Sequence, residues 1–251
     1  MKTDIFQKFL QIIQEKTAGF ILLLDPDRLP ANKIEPVIIK AIENGVDLFL
    51  VGGTLLLSRH FDNYVKRIKS SAKDIPVILF PGSVFQVSKH ADAILYLSVI
   101  SSRNPAYLIE NQVLAASHVW QLQIEPISCG YMLIESGHMT SAEFMSNSKP
   151  IPRNKPEIAL AHALAAQYLG FQVIYLEAGS GAQLSVPEEI ITAIHKTISI
   201  PILVGGGIRT PDEARSKVKA GASFVVIGNH FENITNFSKM KEFADAIHIS
   251  Q

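Results

Sequence analysis

Cysteine, tryptophan and net charge are what this chain has least of. Its 251 residues include one cysteine, Cys129, and one tryptophan, Trp120. A lone cysteine excludes an internal disulfide, and no Cys/His spacing suits a structural zinc site, so a reducing, cytoplasmic setting is expected. Lys plus Arg number 23 against 23 Asp plus Glu, which leaves no broad basic face to neutralise many phosphates, and no nucleic-acid partner is expected. Nowhere does apolar sequence run for the roughly 18 residues that crossing a bilayer requires. The best candidates, Gly19–Leu24 and Ala93–Ile100, have the length of strands. Met1–Lys16 alternates charged and apolar residues at helical spacing without the apolar stretch of a signal peptide, so no targeting segment is expected there. The eight histidines are spaced too irregularly to suggest a metal cluster, and neither a Gly-x-Ser-x-Gly elbow nor a Cys/His pair marks a hydrolase nucleophile.

What is present is a strong apolar pattern. Apolar residues make up 47% of the chain and charged residues 18%, a balance that favours a large buried core over disorder. Short runs rich in Val, Ile, Leu and Phe fall at 20–24, 48–51, 76–80, 93–98, 126–134, 172–176, 201–204 and 224–227. That spacing suits βα units in a parallel sheet. Most run straight into a polar or glycine-rich stretch, as at Asp25-Pro26-Asp27, Gly52-Gly53-Thr54, Pro81-Gly82-Ser83 and Gly205-Gly206-Gly207. Between them, Thr210-Pro211-Asp212-Glu213 reads as a capping box, Asn104-Pro105 and Lys155-Pro156 as helix starts, and Gly45, Gly170 and Gly221 as helix C-caps. Ser136–Lys155 reads as an active-site loop and the segment after Ala93–Ser98 as the least regular. The expected fold is a single (β/α)8 TIM barrel over residues 1–251, with a doubly wound open sheet as the alternative.

Barrel chemistry sits at strand carboxyl ends, and three stretches there stand out. Gly206 and Gly207 follow one late strand, and Gly228 and Asn229 the next. Backbone amides from both turns can converge on a phosphate, which glycine lets approach closely; tight turns without a ligand are the alternative. Asp25, with Thr54 at the adjacent strand, resembles a sparse Mg²⁺ site completed by water and a diphosphate, although a turn-capping carboxylate would look the same. In Tyr175-Leu176-Glu177-Ala178-Gly179-Ser180-Gly181-Ala182, Tyr175 and Glu177 share one face of a strand. Glu177 is a candidate general base and Tyr175 a donor positioning a substrate hydroxyl, with an ordinary salt-bridged glutamate as the alternative. Trp120 and Tyr131 could line an apolar groove or fill core.

With these motifs in this order, together with Phe80-Pro81-Gly82-Ser83 and Asn104-Pro105, the chain resembles the geranylgeranylglyceryl phosphate synthase family, which includes bacterial heptaprenylglyceryl phosphate synthases. The resemblance implies a prenyltransferase joining sn-glycerol 1-phosphate to C1 of a polyprenyl diphosphate. It implies Mg²⁺ held by Asp25 and Thr54, and glycerol phosphate held by Tyr175, Leu176, Glu177, Ala178, Gly179, Ser180, Gly181, Gly206, Gly207, Gly228 and Asn229. Glu177 would then be the base. Asp27 and the chain length are similar to the archaeal-type branch, implying geranylgeranyl diphosphate as donor, whereas Arg28 stands where a lysine is expected. The family tends to replace or disorder the helix after strand 3. The expected assembly is a homo-oligomer, dimer or hexamer, with peripheral membrane contact for its lipid product. The rivals are a phosphosugar or phosphoamine isomerase barrel and a non-catalytic phosphate-binding barrel.

Overall fold

The eight apolar runs form β1 (Gly19–Leu24), β2 (Leu48–Val51), β3 (Val77–Leu79), β4 (Ala93–Val99), β5 (Glu125–Leu133), β6 (Val173–Glu177), β7 (Ile202–Gly205) and β8 (Phe224–Ile227). They close in sequence order into one parallel barrel, the last strand returning to the first with Gly19 opposite Phe224. The computed structural model describes residues 4–249. The start of the Met1–Lys16 segment and both ends of the expected 1–251 domain lie outside those residues. No helix among the described residues is long and apolar enough to cross a membrane.

Strand alternation divides the apolar residues into two layers. Ile21, Leu50, Leu95, Cys129, Leu203 and Phe224 fill the lumen, while Phe20, Phe49, Ile94, Leu176 and Val225 face the surrounding helices. The lumen is therefore packed and its floor is closed. Helix α1 (Ile5–Lys16) lies across the amino-terminal end of the barrel, where Phe9 is fully buried against the Phe224 ring at 4.8 Å. The Glu125 carboxylate accepts the amides of Ile5 and Phe6 at 2.6 and 2.9 Å, satisfying donors that the first turn leaves free.

The floor is fastened by Asp47. Its buried carboxylate accepts hydrogen bonds from Lys16 Nζ at 2.5 Å, the Phe20 amide at 2.7 Å and His248 Nε2 at 2.7 Å, joining α1, β1, β2 and the C-terminal segment. Burial alone would raise the Asp47 pKa, but the bonds from His248, Lys16 and Phe20 together hold it below the ordinary 3.8. Asp47→Ala is therefore expected to destabilise the fold by about 3 kcal/mol near neutral pH. Because the folded pKa is the lower one, the contribution is complete above the unfolded value and drains as pH falls through the folded one. Thermal melts at pH 7 and pH 3 check this, the gap to the native chain narrowing at the lower pH.

The outer layer includes α2 (Ile34–Glu43), α3 (Phe61–Ser71), α4 (Asn111–Leu122), α5 (Ser141–Ser146), α6 (Pro156–Tyr168), α7 (Glu188–His195), α8 (Pro211–Ala220) and α9 (Met240–Ile247). The capping box at Thr210 and Glu213 is formed, and Gly45, Gly170 and Gly221 take positive φ beyond the helix ends. Two expectations of irregularity are met. The irregularity after β4 is a π-helical turn, Ala106–Glu110, running directly into α4. The helix after β3 is replaced: residues 80–92 reach β4 through turns alone. Ser136–Lys155 is less irregular than its composition suggests. It contains α5, capped by Thr140, and Ile151 bridges Ile134 at the end of β5.

Candidate active site

Seven of the eight strand ends, all but that of β4, open into one mouth, a cavity of about 710 Å³. Asp25, Thr54, Tyr175, Glu177, Ser180, Gly181, Gly206, Gly207, Gly228 and Asn229 line it together. Leu176 and Ala178 do not: their side chains turn outward into the helix-facing layer, so contact with a ligand in the mouth would fall to their backbone. Gly179 lies behind the lining, and its amide is spent on Glu177.

Glu177 ends β6, one residue pair from β7, with Gly205 directly opposite. Its side chain points into the barrel and is 6% exposed. Oε1 accepts the Gly179 amide at 2.5 Å, and among the described residues no Lys or Arg nitrogen lies within 4 Å of it. A salt-bridged glutamate is thus not what the strand end carries. Burial is the largest influence on this carboxyl and lifts its pKa from 4.5 to about 7, against the opposing pull of the Gly179 amide and the Tyr175 hydroxyl. Tyr175 is fully buried and stacks on Phe80 at 5.1 Å, with Tyr131 at 5.5 Å. Its hydroxyl neighbours Glu177 closely enough to feel its charge, yet in no full hydrogen-bond geometry, and is left without a partner. Burial and the adjacent carboxylate hold that phenol well above its ordinary pKa, so it remains a proton donor.

The Gly206–Gly207 turn meets Glu177 from the side. Gly206 has a positive φ of 83°, and a Cβ there would strike Glu177 Oε1 and come within 2.7 Å of the Gly179 nitrogen. Only glycine fits both constraints. Across the cup, the Asn229 carboxamide oxygen accepts the Ser180 hydroxyl at 2.9 Å and the Gly181 amide at 3.0 Å, while its nitrogen donates to Glu232 at 2.6 Å. The Arg209 guanidinium is spent on the carbonyls of Ala182 and Gln183 at 2.5 and 3.1 Å, stapling the loop after β6 to the turn after β7.

At the end of β1, beside β8, Asp25 is half buried, and burial raises its pKa with a further push from Asp27, while the Asp27 amide and Arg28 pull it down. No ion pair forms to it among the described residues. Asp27 is engaged elsewhere. Its carboxylate accepts the amides of Leu57 and Ser58 at 2.7 and 2.9 Å, tethering the loop after β2. Sequence reasoning missed several lining residues, among them Ala142, His230 and Glu232, because nothing in a single histidine or glutamate after β8 distinguishes it from a surface group.

A second, apolar cavity of about 120 Å³ adjoins the mouth, between β4, the π-helical turn, α4 and α5. Gly53, Thr54, Phe80, Tyr131 and Ala142 line both. Tyr131 therefore takes the expected groove position. Trp120 does not; it is 79% exposed on the outer side of α4.

Known proteins match the chain over nearly its whole length. The PcrB family model matches residues 10–247. The geranylgeranylglyceryl phosphate synthase of Chitinophaga pinensis is 42% identical over 99% of this chain and 97% of its own. That of Thermococcus kodakarensis is 45% identical over 91% and 90%. The crystal structure of (S)-3-O-geranylgeranylglyceryl phosphate synthase from Thermoplasma acidophilum, in complex with its substrate sn-glycerol-1-phosphate, superposes with a TM-score of 0.89 at 31% identity, covering 97% of this chain and 98% of that one. Matched over residues 10–247 and at these identities, the chain belongs to the PcrB family.

Proposed function

We propose that the chain is a prenyltransferase that joins sn-glycerol 1-phosphate to C1 of a polyprenyl diphosphate, releasing pyrophosphate and forming an ether lipid precursor. Geranylgeranyl diphosphate is the donor favoured by the relatives' names. The observation that carries this reading is Glu177: a buried carboxylate with no ion pair among the described residues, held against the Gly179 amide and the Gly206 turn, beside an unpartnered phenol and in a mouth that adjoins an apolar groove.

In this mechanism the phosphate of the acceptor rests on the Ser180 hydroxyl and on amides of the Gly181, Gly206–Gly207 and Gly228–Asn229 turns, displacing the Asn229 oxygen that takes two of those donors in the free cup. The glycerol hydroxyl then lies between the Tyr175 hydroxyl, which orients it, and Glu177, which accepts its proton. The O–C1 bond forms as the C1–O bond to the diphosphate breaks, and the electron pair leaves with pyrophosphate. Asp25 and Thr54 offer hard oxygen donors, one charged and unpaired, which suit Mg²⁺ with its usual complement of water and phosphate oxygens. When bound, Mg²⁺ would neutralise the charge that grows on the departing diphosphate. Holding both reactants at attack distance supplies up to about 7–11 kcal/mol of the barrier.

The apolar groove, which meets the mouth at Thr54 and Phe80, suits the first units of the prenyl tail, the remainder running on past its open end. Leu57 at the mouth, Phe85 between groove-lining Val84 and Val87, and Phe144 beside groove-lining Met145 are all exposed, and this apolar lip suits peripheral contact with a membrane. Exposed Ile109 and, on α4, Val113 and Leu114 suit a homo-oligomer. Radiolabelled sn-glycerol 1-phosphate, incubated with Mg²⁺ and prenyl diphosphates of several lengths, should pass into an organic phase, most rapidly with the C20 donor. Label that stays in water with every donor would overturn the assignment.

A further inference from the structure

Residues 80–92, which replace the helix after β3, carry a side chain that no other role explains. Gln86 is a polar residue with 0% exposure, and both ends of its carboxamide are used on a single residue of the loop after the adjacent strand β2. Its Nε2 donates to the Gly53 carbonyl at 2.8 Å, and its Oε1 accepts the Gly53 amide at 3.2 Å. A buried amide satisfied in this way imposes one orientation on the peptide units flanking Gly53.

Two neighbours close in on the same residue. A Cβ on Gly53 would lie 3.1 Å from Asp25 Oδ2, so its backbone rests directly on that carboxylate. A Cβ on Gly82 would strike the Gly53 carbonyl oxygen and lie 2.7 Å from the Thr54 carbonyl oxygen. The Gln86 segment is itself anchored, its amide donating to the Ser83 carbonyl at 3.1 Å and the Ser88 hydroxyl to Asp62 on α3 at 2.7 Å. Thr54, next in the chain, is where the polar mouth and the apolar groove meet.

We infer that Gln86 is a positioning residue for the diphosphate end of the donor: it fixes the Gly53–Thr54 backbone so that Thr54 and Asp25 face one point at the junction of mouth and groove. This rests on the proposed assignment of Asp25 and Thr54 to that end. It also gives a reason for the missing helix. A regular helix after β3 would direct the side chains of this stretch along the outside of the barrel, whereas the looped path carries Gln86 inward to Gly53.

The test uses Gln86→Met, which keeps the stem and volume but loses both bonds, and Gln86→Glu, which keeps an acceptor for the Gly53 amide but cannot donate to its carbonyl when ionised. Calorimetry would measure the binding of inorganic pyrophosphate in the presence of Mg²⁺, and separately that of sn-glycerol 1-phosphate, with thermal melts confirming that each variant is folded. Pyrophosphate affinity should fall about tenfold or more in Gln86→Met, the scale of one or two lost hydrogen bonds, while sn-glycerol 1-phosphate affinity stays within about twofold. Gln86→Glu should also lose pyrophosphate affinity selectively. A folded Gln86→Met that binds pyrophosphate like the native chain, or that loses both ligands equally, overturns the inference. A native chain that shows no Mg²⁺-dependent pyrophosphate binding overturns the reading of Asp25 and Thr54 instead, and no variant is needed to see it.

Discussion

Replacing Glu177 with glutamine is expected to lower kcat by about 10²–10⁴-fold, the usual contribution of a positioned general base, while sn-glycerol 1-phosphate still binds within a few-fold of the native chain. Glutamine keeps the shape and can still accept the Gly179 amide, so the loss isolates proton removal. The pH dependence follows from burial. With the carboxyl pKa raised from 4.5 to about 7, the native enzyme should gain activity as pH rises through about 7, because only the ionised form accepts a proton. In the Glu177→Gln variant that limb should vanish. The same substitution should stabilise the fold on the alkaline side, by on the order of 3 kcal/mol at pH 8, because a carboxyl that moves from 4.5 to about 7 resists ionising in its folded surroundings. At pH 4, where the carboxyl is protonated in both folded and unfolded chains, the two melting temperatures should converge. An undiminished kcat, or a stability gap that does not depend on pH, would remove Glu177 from the proposed role.

Asp25→Asn is the second large effect. The proposed mechanism predicts a fall of about 10²-fold or more in kcat/KM for the prenyl diphosphate and a weakened response to added magnesium, since the amide can no longer neutralise or hold the cation. Binding of sn-glycerol 1-phosphate should change little, because among the described residues the Asp25 carboxylate accepts only the Asp27 amide and makes no hydrogen bond to the Gly206–Gly207 or Gly228–Asn229 turns. Steady-state titrations in magnesium and donor, with calorimetry for the acceptor, separate these outcomes. Retained magnesium response in Asp25→Asn would leave Thr54 and the mouth without their proposed cation.

The strands were legible because a parallel barrel buries both faces of each one, so eight apolar runs fall within a residue or two of their observed limits. The glycine turns were legible for a related reason: Gly206 stands where a Cβ would strike Glu177, and glycine at a strand end is a local signal. The sequence could not show which way the loops fold back. Nothing around Gln86 marks a residue that crosses to Gly53, since the bond spans 33 positions and has no local periodicity. Nor does anything beside Asp27 show that its carboxylate is taken up by two backbone amides thirty residues on. Short α5 was hidden because six residues are too few for a helical repeat to emerge, and Leu176 and Ala178 were read as part of the cup because a specific motif does not tell side chain from backbone.

The helix-free stretch between β3 and β4 leaves one arc of the outer shell unroofed. A hydrocarbon can then lie across the barrel wall rather than thread a lumen that side chains already fill. Water-borne and oil-borne reactants would approach along orthogonal routes and meet only at their reacting ends. Such an arrangement lets the flank be recut for longer or shorter tails while the proton-accepting centre stays as it is.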